Sequence, residues 1–198
     1  KVYTFNSGVD LAMFGNRFNL SVDYYNRETR DALGTSIMDP TSGWASVKKN
    51  TASLVNRGLD LSVSGAPVVN ENVRWNTTLT LSYNYNEVTK VNSGVSTVNT
   101  MMNDPIKGKP VDYIFAYRSG KLSPEGAVQV INAAGETLDY AAVNTFETKD
   151  FLFPGRTSPK YFGAWSNTVS CRGFEFDIMF TYKLGHKLRM PSIGNVYI

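Results

Sequence analysis

The sequence is poor in the residues that build metal sites and redox chemistry. Its 198 residues hold one cysteine, Cys171, and one histidine, His186. A single cysteine excludes an internal disulfide framework and any multi-cysteine metal site. One histidine excludes a paired-histidine zinc site. Charged residues make up 19% of the chain, below the roughly 25% of ordinary soluble domains. The net charge of +3 is too small to argue for a nucleic-acid surface. No run of about 18 apolar residues occurs, which excludes a transmembrane helix. It does not exclude a membrane-spanning strand, which needs only about 10 residues of alternating hydrophobicity. No charged segment followed by an apolar stretch opens the chain at Lys1, so no signal peptide is visible.

Hydrophobic residues reach 42% and aromatics 13%, which excludes disorder and supplies material for strands. The dominant pattern has period two. Phe18 to Tyr24 alternates strictly, as do Leu59 to Ser64 and Phe174 to Tyr182. Trp75 to Asn86 alternates for a dozen residues, with Thr77 the one polar residue on its apolar face. Each run places apolar side chains on one face and polar ones on the other. Weaker alternation covers Val2 to Phe14 and Tyr161 to Cys171. The pattern predicts an all-β chain with strands near 2–14, 17–30, 52–65, 73–89, 161–171 and 174–184. No helical stripe of comparable quality is present.

The predicted connections alternate in length. Phe14 to Arg17, Gly65 to Asn72 and Cys171 to Gly173 are short and turn-rich. Between them lie long stretches near 31–50, 90–160 and 185–198. Compact soluble domains seldom carry structureless loops beyond about 15 residues. Outer-membrane barrels have short turns on one side and long loops on the other. Asn76, Thr78, Thr80, Ser82, Asn84 and Asn86 fill one polar face with small neutral groups that suit a hydrated lumen. Tyr24, Trp75, Tyr83, Tyr85 and Tyr182 sit toward strand ends, as interfacial girdles do. Period two alone fits a β-sandwich as well, with the apolar face inside. Within the middle stretch, Val128 to Ile131 reads as a strand entering a turn at Asn132 to Gly135, so that stretch carries structure of its own.

Catalytic patterns are sparse. Asp104, Glu125, Glu136, Asp139, Glu147 and Asp150 are scattered along the middle stretch and read as solvated charges. His186 has no ligand-spaced partner, and Cys171 sits at a tight turn with no nearby histidine. No glycine-rich loop leads into a helix. The chain is therefore not expected to be an enzyme or to hold a cofactor or metal. Trp44, Tyr113, Tyr117, Tyr140 and Phe151 fall in predicted outer loops and are the candidates for ligand contact. Their rings could stack on sugar faces, or they could pack the loops together.

Longer motifs point to a family. Ser158-Pro159-Lys160-Tyr161-Phe162-Gly163-Ala164-Trp165-Ser166-Asn167-Thr168 leads to Gly173-Phe174-Glu175-Phe176 and Phe180-Thr181-Tyr182. Val22 to Thr29 contains Asp23-Tyr24-Tyr25, and Asn56-Arg57-Gly58-Leu59-Asp60 opens another strand. Gly108-Lys109-Pro110 and the stretch from Gly120 to Gly135 follow in order. These segments resemble the SusC/RagA family of TonB-dependent outer-membrane transporters, typical of Bacteroidetes. The resemblance implies antiparallel up-and-down strands forming part of a large transmembrane β-barrel, with long extracellular loops and short periplasmic turns. It implies that the chain is an internal piece of the barrel's C-terminal third. It further implies import of an oligosaccharide or peptide, a SusD-like surface lipoprotein as partner, contact with outer-membrane lipid, and energy coupling to TonB through an N-terminal region not present here. The alternative on the residues alone is a soluble, secreted glycan-binding β-sandwich.

Overall fold

A computed structural model of the chain describes residues 1–37, 41, 43–44, 46–92 and 105–189. Six long strands form one antiparallel sheet. They are β1 (Val2–Met13), β2 (Phe18–Ile37), β3 (Ser46–Val69), β4 (Val73–Val91), β10 (Tyr161–Cys171) and β11 (Phe174–Leu184). The strand order is β1-β2-β3-β4-β10-β11, an up-and-down wall in which β4 and β10, though neighbours, are separated by residues 92–160. Between them lie the short strands β5 (Tyr113–Ala116), β6 (Arg118–Leu122), β7 (Val128–Ile131), β8 (Thr137–Asp139) and β9 (Leu152–Arg156).

The period-two runs set the register. Val9, Val22, Leu61, Leu81, Gly163 and Tyr182 lie in one cross-strand row, and Leu11, Leu20, Val63, Leu79, Trp165 and Phe180 in the next. The intervening row on the opposite face reads Asp10, Ser21, Ser62, Thr80, Ala164 and Thr181. One face of the wall is therefore apolar from edge to edge and the other polar. The apolar face is bare: Phe176 is 63% exposed, Val9 57%, Phe180 53% and Trp165 45%. A sandwich would bury these side chains under a second sheet, so the sandwich expectation does not hold for the described residues. β1 and β11 are the two edges, and the wall is not closed among the described residues.

Near the short-turn end of the apolar face, Thr77 and Asn167 are polar, and both are covered. Thr77 and Asn167 are direct partners across β4 and β10. The Trp165 indole N–H donates to Thr77 Oγ1 at 3.0 Å, and the Trp75 indole N–H donates to Asn167 Oδ1 at 3.1 Å. Nearby, Tyr182 on β11 reaches over Gly163 on β10 and donates to the Thr80 carbonyl on β4 at 2.7 Å. A Cβ at Gly163 would collide with that carbonyl, which explains the glycine.

The loops differ from the sequence reading. The stretch near 31–50 is largely strand, because β2 continues to Ile37 and β3 begins at Ser46. Alternation fails there because bulges follow Thr29 and Ala32, and Asp31 takes a left-handed φ of 55°. β3 likewise runs on to Val69 and β4 to Val91. The stretch near 90–160 contains β5 to β9 and two 3-10 turns, Tyr140–Thr145 and Thr148–Asp150. It also holds the molecule's hydrophobic core: Phe115, Val130, Val143, Phe146 and Phe151 pack together. Residues 185–189 carry no regular element, and the remainder of the stretch to 198 lies outside the described residues, as does Asp104.

Candidate functional site

The long-loop end of the wall carries the 105–156 insertion, and its attachment is built from polar groups. Gly108 N–H donates to the Val88 carbonyl, and Val88 N–H donates to the Lys109 carbonyl, both at 2.9 Å. Asn86 Oδ1 accepts from Val111 N–H at 2.8 Å, and its amide donates to Asp112 at 3.3 Å. Asp112 also accepts from Ser158 N–H at 2.7 Å and Thr157 Oγ1 at 3.2 Å. Burial pushes the Asp112 carboxyl up, but the hydrogen bonds from Ser158 and Asn86 outweigh it and hold it below the ordinary carboxylate value. Arg156 is buried at 2% exposure and donates to the carbonyls of Asn84 (2.6 Å), Pro159 (2.8 Å) and Ser158 (3.0 Å). Its guanidinium replaces water for three backbone acceptors where the insertion rejoins the sheet.

The insertion holds four of the five aromatic candidates. Tyr113 packs edge-on to Phe153 at 5.6 Å between ring centres. Tyr117 meets Phe151 at 5.5 Å and Tyr140 at 5.7 Å. Tyr113 and Tyr117 are half-buried against the core, whereas Tyr140 is 52% exposed. Burial pushes the Tyr117 phenol up, and Tyr140 beside it adds to the shift. Phe151 is buried in the core itself. Trp44 lies elsewhere, between β2 and β3, and is 74% exposed. A groove of about 580 Å³ runs under the insertion, lined by Leu33, Ala52, Leu54, Val88, Tyr113 and Phe115 among others.

The polar face of the wall carries a second concavity, of about 740 Å³, that the aromatic candidates do not touch. Tyr25 on β2 lies across Gly58 on β3, its register partner, and accepts from Asn84 Nδ2 on β4 at 2.7 Å. A Cβ at Gly58 would occupy the space of the Tyr25 ring. This is an aromatic covering of a strand glycine, which restores packing where the sheet has no side chain. Asp23 and Asp60 face each other one step below, and Arg27, Asn56 and Asn6 complete the lining. Directly opposed like charges destabilise a bare sheet, so these carboxylates favour cations or hydroxyl donors in the cavity. The signal was present in the motifs Asp23-Tyr24-Tyr25 and Asn56-Arg57-Gly58-Leu59-Asp60. Only the register shows that the two motifs build one site. Among the described residues no three His, Cys, Asp or Glu side chains gather as a metal site.

Comparison with known proteins places this arrangement. Residues 1–197 match the family model "TonB dependent receptor-like, beta-barrel". TonB-dependent receptor P39 of Formosa agariphila is 25% identical over 92% of this chain and 22% of its own length. TonB-dependent receptor SusC of Bacteroides thetaiotaomicron is 32% identical over 48% of this chain and 10% of its own. The structure of the RagAB peptide importer in its closed-closed state superposes with a TM-score of 0.72 at 24% identity, covering 93% of this chain and 21% of that one. The chain thus spans about a fifth of the length of such relatives. An all-β wall with one apolar and one polar face, short turns at one end and a folded insertion at the other, belongs to the TonB-dependent receptor β-barrel family.

Proposed function

We propose that this chain is a wall segment of an outer-membrane transporter that imports oligosaccharides or peptides with a SusD-like surface lipoprotein. The bare apolar face carries the reading. Its rows of leucine, valine and aromatic side chains are exposed across all six strands, a surface that suits lipid and not water. β10 and β11 each have 11 residues, about the length a tilted strand needs to cross the hydrocarbon layer. The polar face, with the Tyr25 cavity, then lines the lumen.

In this reading the insertion stands at the outer mouth. Of the candidates, Tyr140 and Trp44 are the rings exposed enough to meet a ligand, and Tyr117 supports Tyr140 from the core side. Family membership supports TonB as the source of energy, through regions outside this chain. The name RagAB peptide importer supports peptide as cargo, whereas oligosaccharide as cargo and a SusD-like lipoprotein as partner rest on the resemblance of the sequence motifs to the SusC/RagA family.

The test uses cells that make the full-length receptor and cells that lack it. Both are offered defined mixtures of oligosaccharides and of short peptides, and depletion from the medium is followed. Receptor-dependent depletion of one class, with the receptor in the outer-membrane fraction, supports the proposal. Equal depletion by both strains, or recovery of the receptor in the soluble fraction, overturns it.

A further inference from the structure

The β4–β10 pairing poses a problem that the other pairings do not. A hairpin's register is fixed by its turn, and β1–β2, β3–β4 and β10–β11 are joined through short turns. β2 and β3 are joined through the short stretch 38–45. β4 and β10 are separated by residues 92–160, so their connection exerts no comparable control over register. A slip by two residues would keep every side chain on its proper face and so would not be opposed by the alternating pattern.

Side chains supply what the connection does not. The two indoles cross in opposite directions: Trp75 on β4 bonds Asn167 on β10, and Trp165 on β10 bonds Thr77 on β4. Thr80 Oγ1 accepts from Ala164 N–H at 3.0 Å, and Tyr182 reaches the Thr80 carbonyl through the space left by Gly163. A two-residue slip breaks both indole bonds, leaving Thr77 and Asn167 unpaired on the apolar face, and takes Thr80 on β4 away from Ala164, Gly163 and Tyr182, which move together as one hairpin. Each of these is a cost in a non-aqueous environment.

We infer that these crossed side-chain bonds, added to the Asp112 and Arg156 contacts at the neck, fix the β4–β10 register without residues 117–151, which makes 117–151 an exchangeable recognition module on a wall that assembles without it. The neck of the insertion suits exchange, because Ala116 and Leu152 are direct partners in the β5–β9 pair. A two-residue Asn-Gly turn could replace 117–151 between them. The recognition half of the inference rests on the transporter reading; the register half does not.

The experiment is thiol crosslinking in the full-length receptor with Cys171→Ser, read by mass spectrometry of the crosslinked peptides. Thr78→Cys with Ser166→Cys reports the native register, and Thr78→Cys with Ala164→Cys or Thr168→Cys reports a two-residue slip. In the otherwise unaltered receptor only the native pair should react. In Trp75→Phe/Trp165→Phe/Tyr182→Phe the slipped products should rise at least about tenfold relative to the native product, since three hydrogen bonds are lost. Replacing 117–151 by Asn-Gly should leave the native pair as the sole product while abolishing receptor-dependent depletion of cargo. Unchanged register in the triple variant overturns the inference, and so does slipping in the insertion-less variant. Full cargo depletion without the insertion overturns its recognition half. If the unaltered receptor depletes no cargo, the transporter reading fails alone, and the crosslinks still decide the register.

Discussion

At the scale of single residues, two positions test the packing logic. Gly58 leaves room for the Tyr25 ring, and an alanine Cβ there would occupy the ring's place. Gly58→Ala should therefore push Tyr25 off Asn84 and cost about 1–3 kcal/mol, the usual range for overpacking. The check is a double-mutant cycle on the full-length receptor, read as the temperature at which the folded barrel band is lost on a denaturing gel. With Tyr25→Ala already in place, Gly58→Ala should become nearly neutral. An undiminished cost would show that the glycine serves the backbone and not the ring. Asp150 is the second position. It is buried, and its carboxylate accepts from Ala133 N–H at 2.9 Å and Glu147 N–H at 2.8 Å. The Ala133 amide first, and the Glu147 amide after it, hold the Asp150 carboxyl below its ordinary value. A depressed folded value means that its stabilisation is complete above the unfolded pKa of about 3.9 and is lost as pH falls through the folded one. Protease protection of the insertion should thus hold from neutral pH down to about 4 and fall below it. Asp150→Asn should lower protection at neutral pH by about 1–3 kcal/mol, because one buried amide loses its acceptor, and should flatten the acid response. Equal acid sensitivity in the two proteins would move the effect to another group.

At the scale of elements, the strands were legible wherever alternation was strict. Phe18 to Tyr24, Trp75 to Asn86 and Phe174 to Tyr182 lie in β2, β4 and β11, with their apolar members on one face. The extension of β2 past Asp31 was not legible, because bulges shift the register and break the period that reveals a strand. β5 and β9 were not legible either, being short and paired across the whole insertion core. The aromatic candidates were found by residue type, which cannot separate a ring that packs a core from one that waits for a ligand. The Tyr25 cavity was missed for a different reason: its two motifs lie on neighbouring strands, and only pairing joins them. Arg156 illustrates the limit best, since nothing in Gly155-Arg156-Thr157 says that the guanidinium is buried under three carbonyls. Its removal gives an element-scale prediction. Arg156→Met keeps the aliphatic volume but strands those acceptors, and should cost at least about 2 kcal/mol at the neck. Limited proteolysis should then cut between 105 and 160 well before the wall is lost. Loss of wall and insertion together would mean that the neck and the sheet unfold as one unit.

At the scale of the whole molecule, the question is which solvent each face meets. Core burial is concentrated in the insertion, while the wall keeps its apolar rows exposed. In water such a wall would be an aggregation surface. In a bilayer it needs no further cover once neighbouring strands complete its edges. Charge substitution separates the two solvents. Leu79 and Ile178 lie on the apolar face, 41% and 38% exposed, so arginine at either would fill no tight space and would be penalised chiefly by its surroundings. At midplane depth the cost should be about 2–4 kcal/mol. Thr80→Arg, though on the polar face, would also remove a hydroxyl that bonds Ala164, so Thr78 is the cleaner control. Thr78→Arg points into a hydrated lumen and should cost well under 1 kcal/mol, about the size of an ordinary surface change. Refolding of the full-length receptor into lipid vesicles, titrated with denaturant, reads all three variants on one scale. A large penalty at Leu79 and Ile178 with little at Thr78 assigns lipid to one face and water to the other. Equal penalties on both faces would mean that both are packed against protein, and the barrel-wall orientation would have to be abandoned.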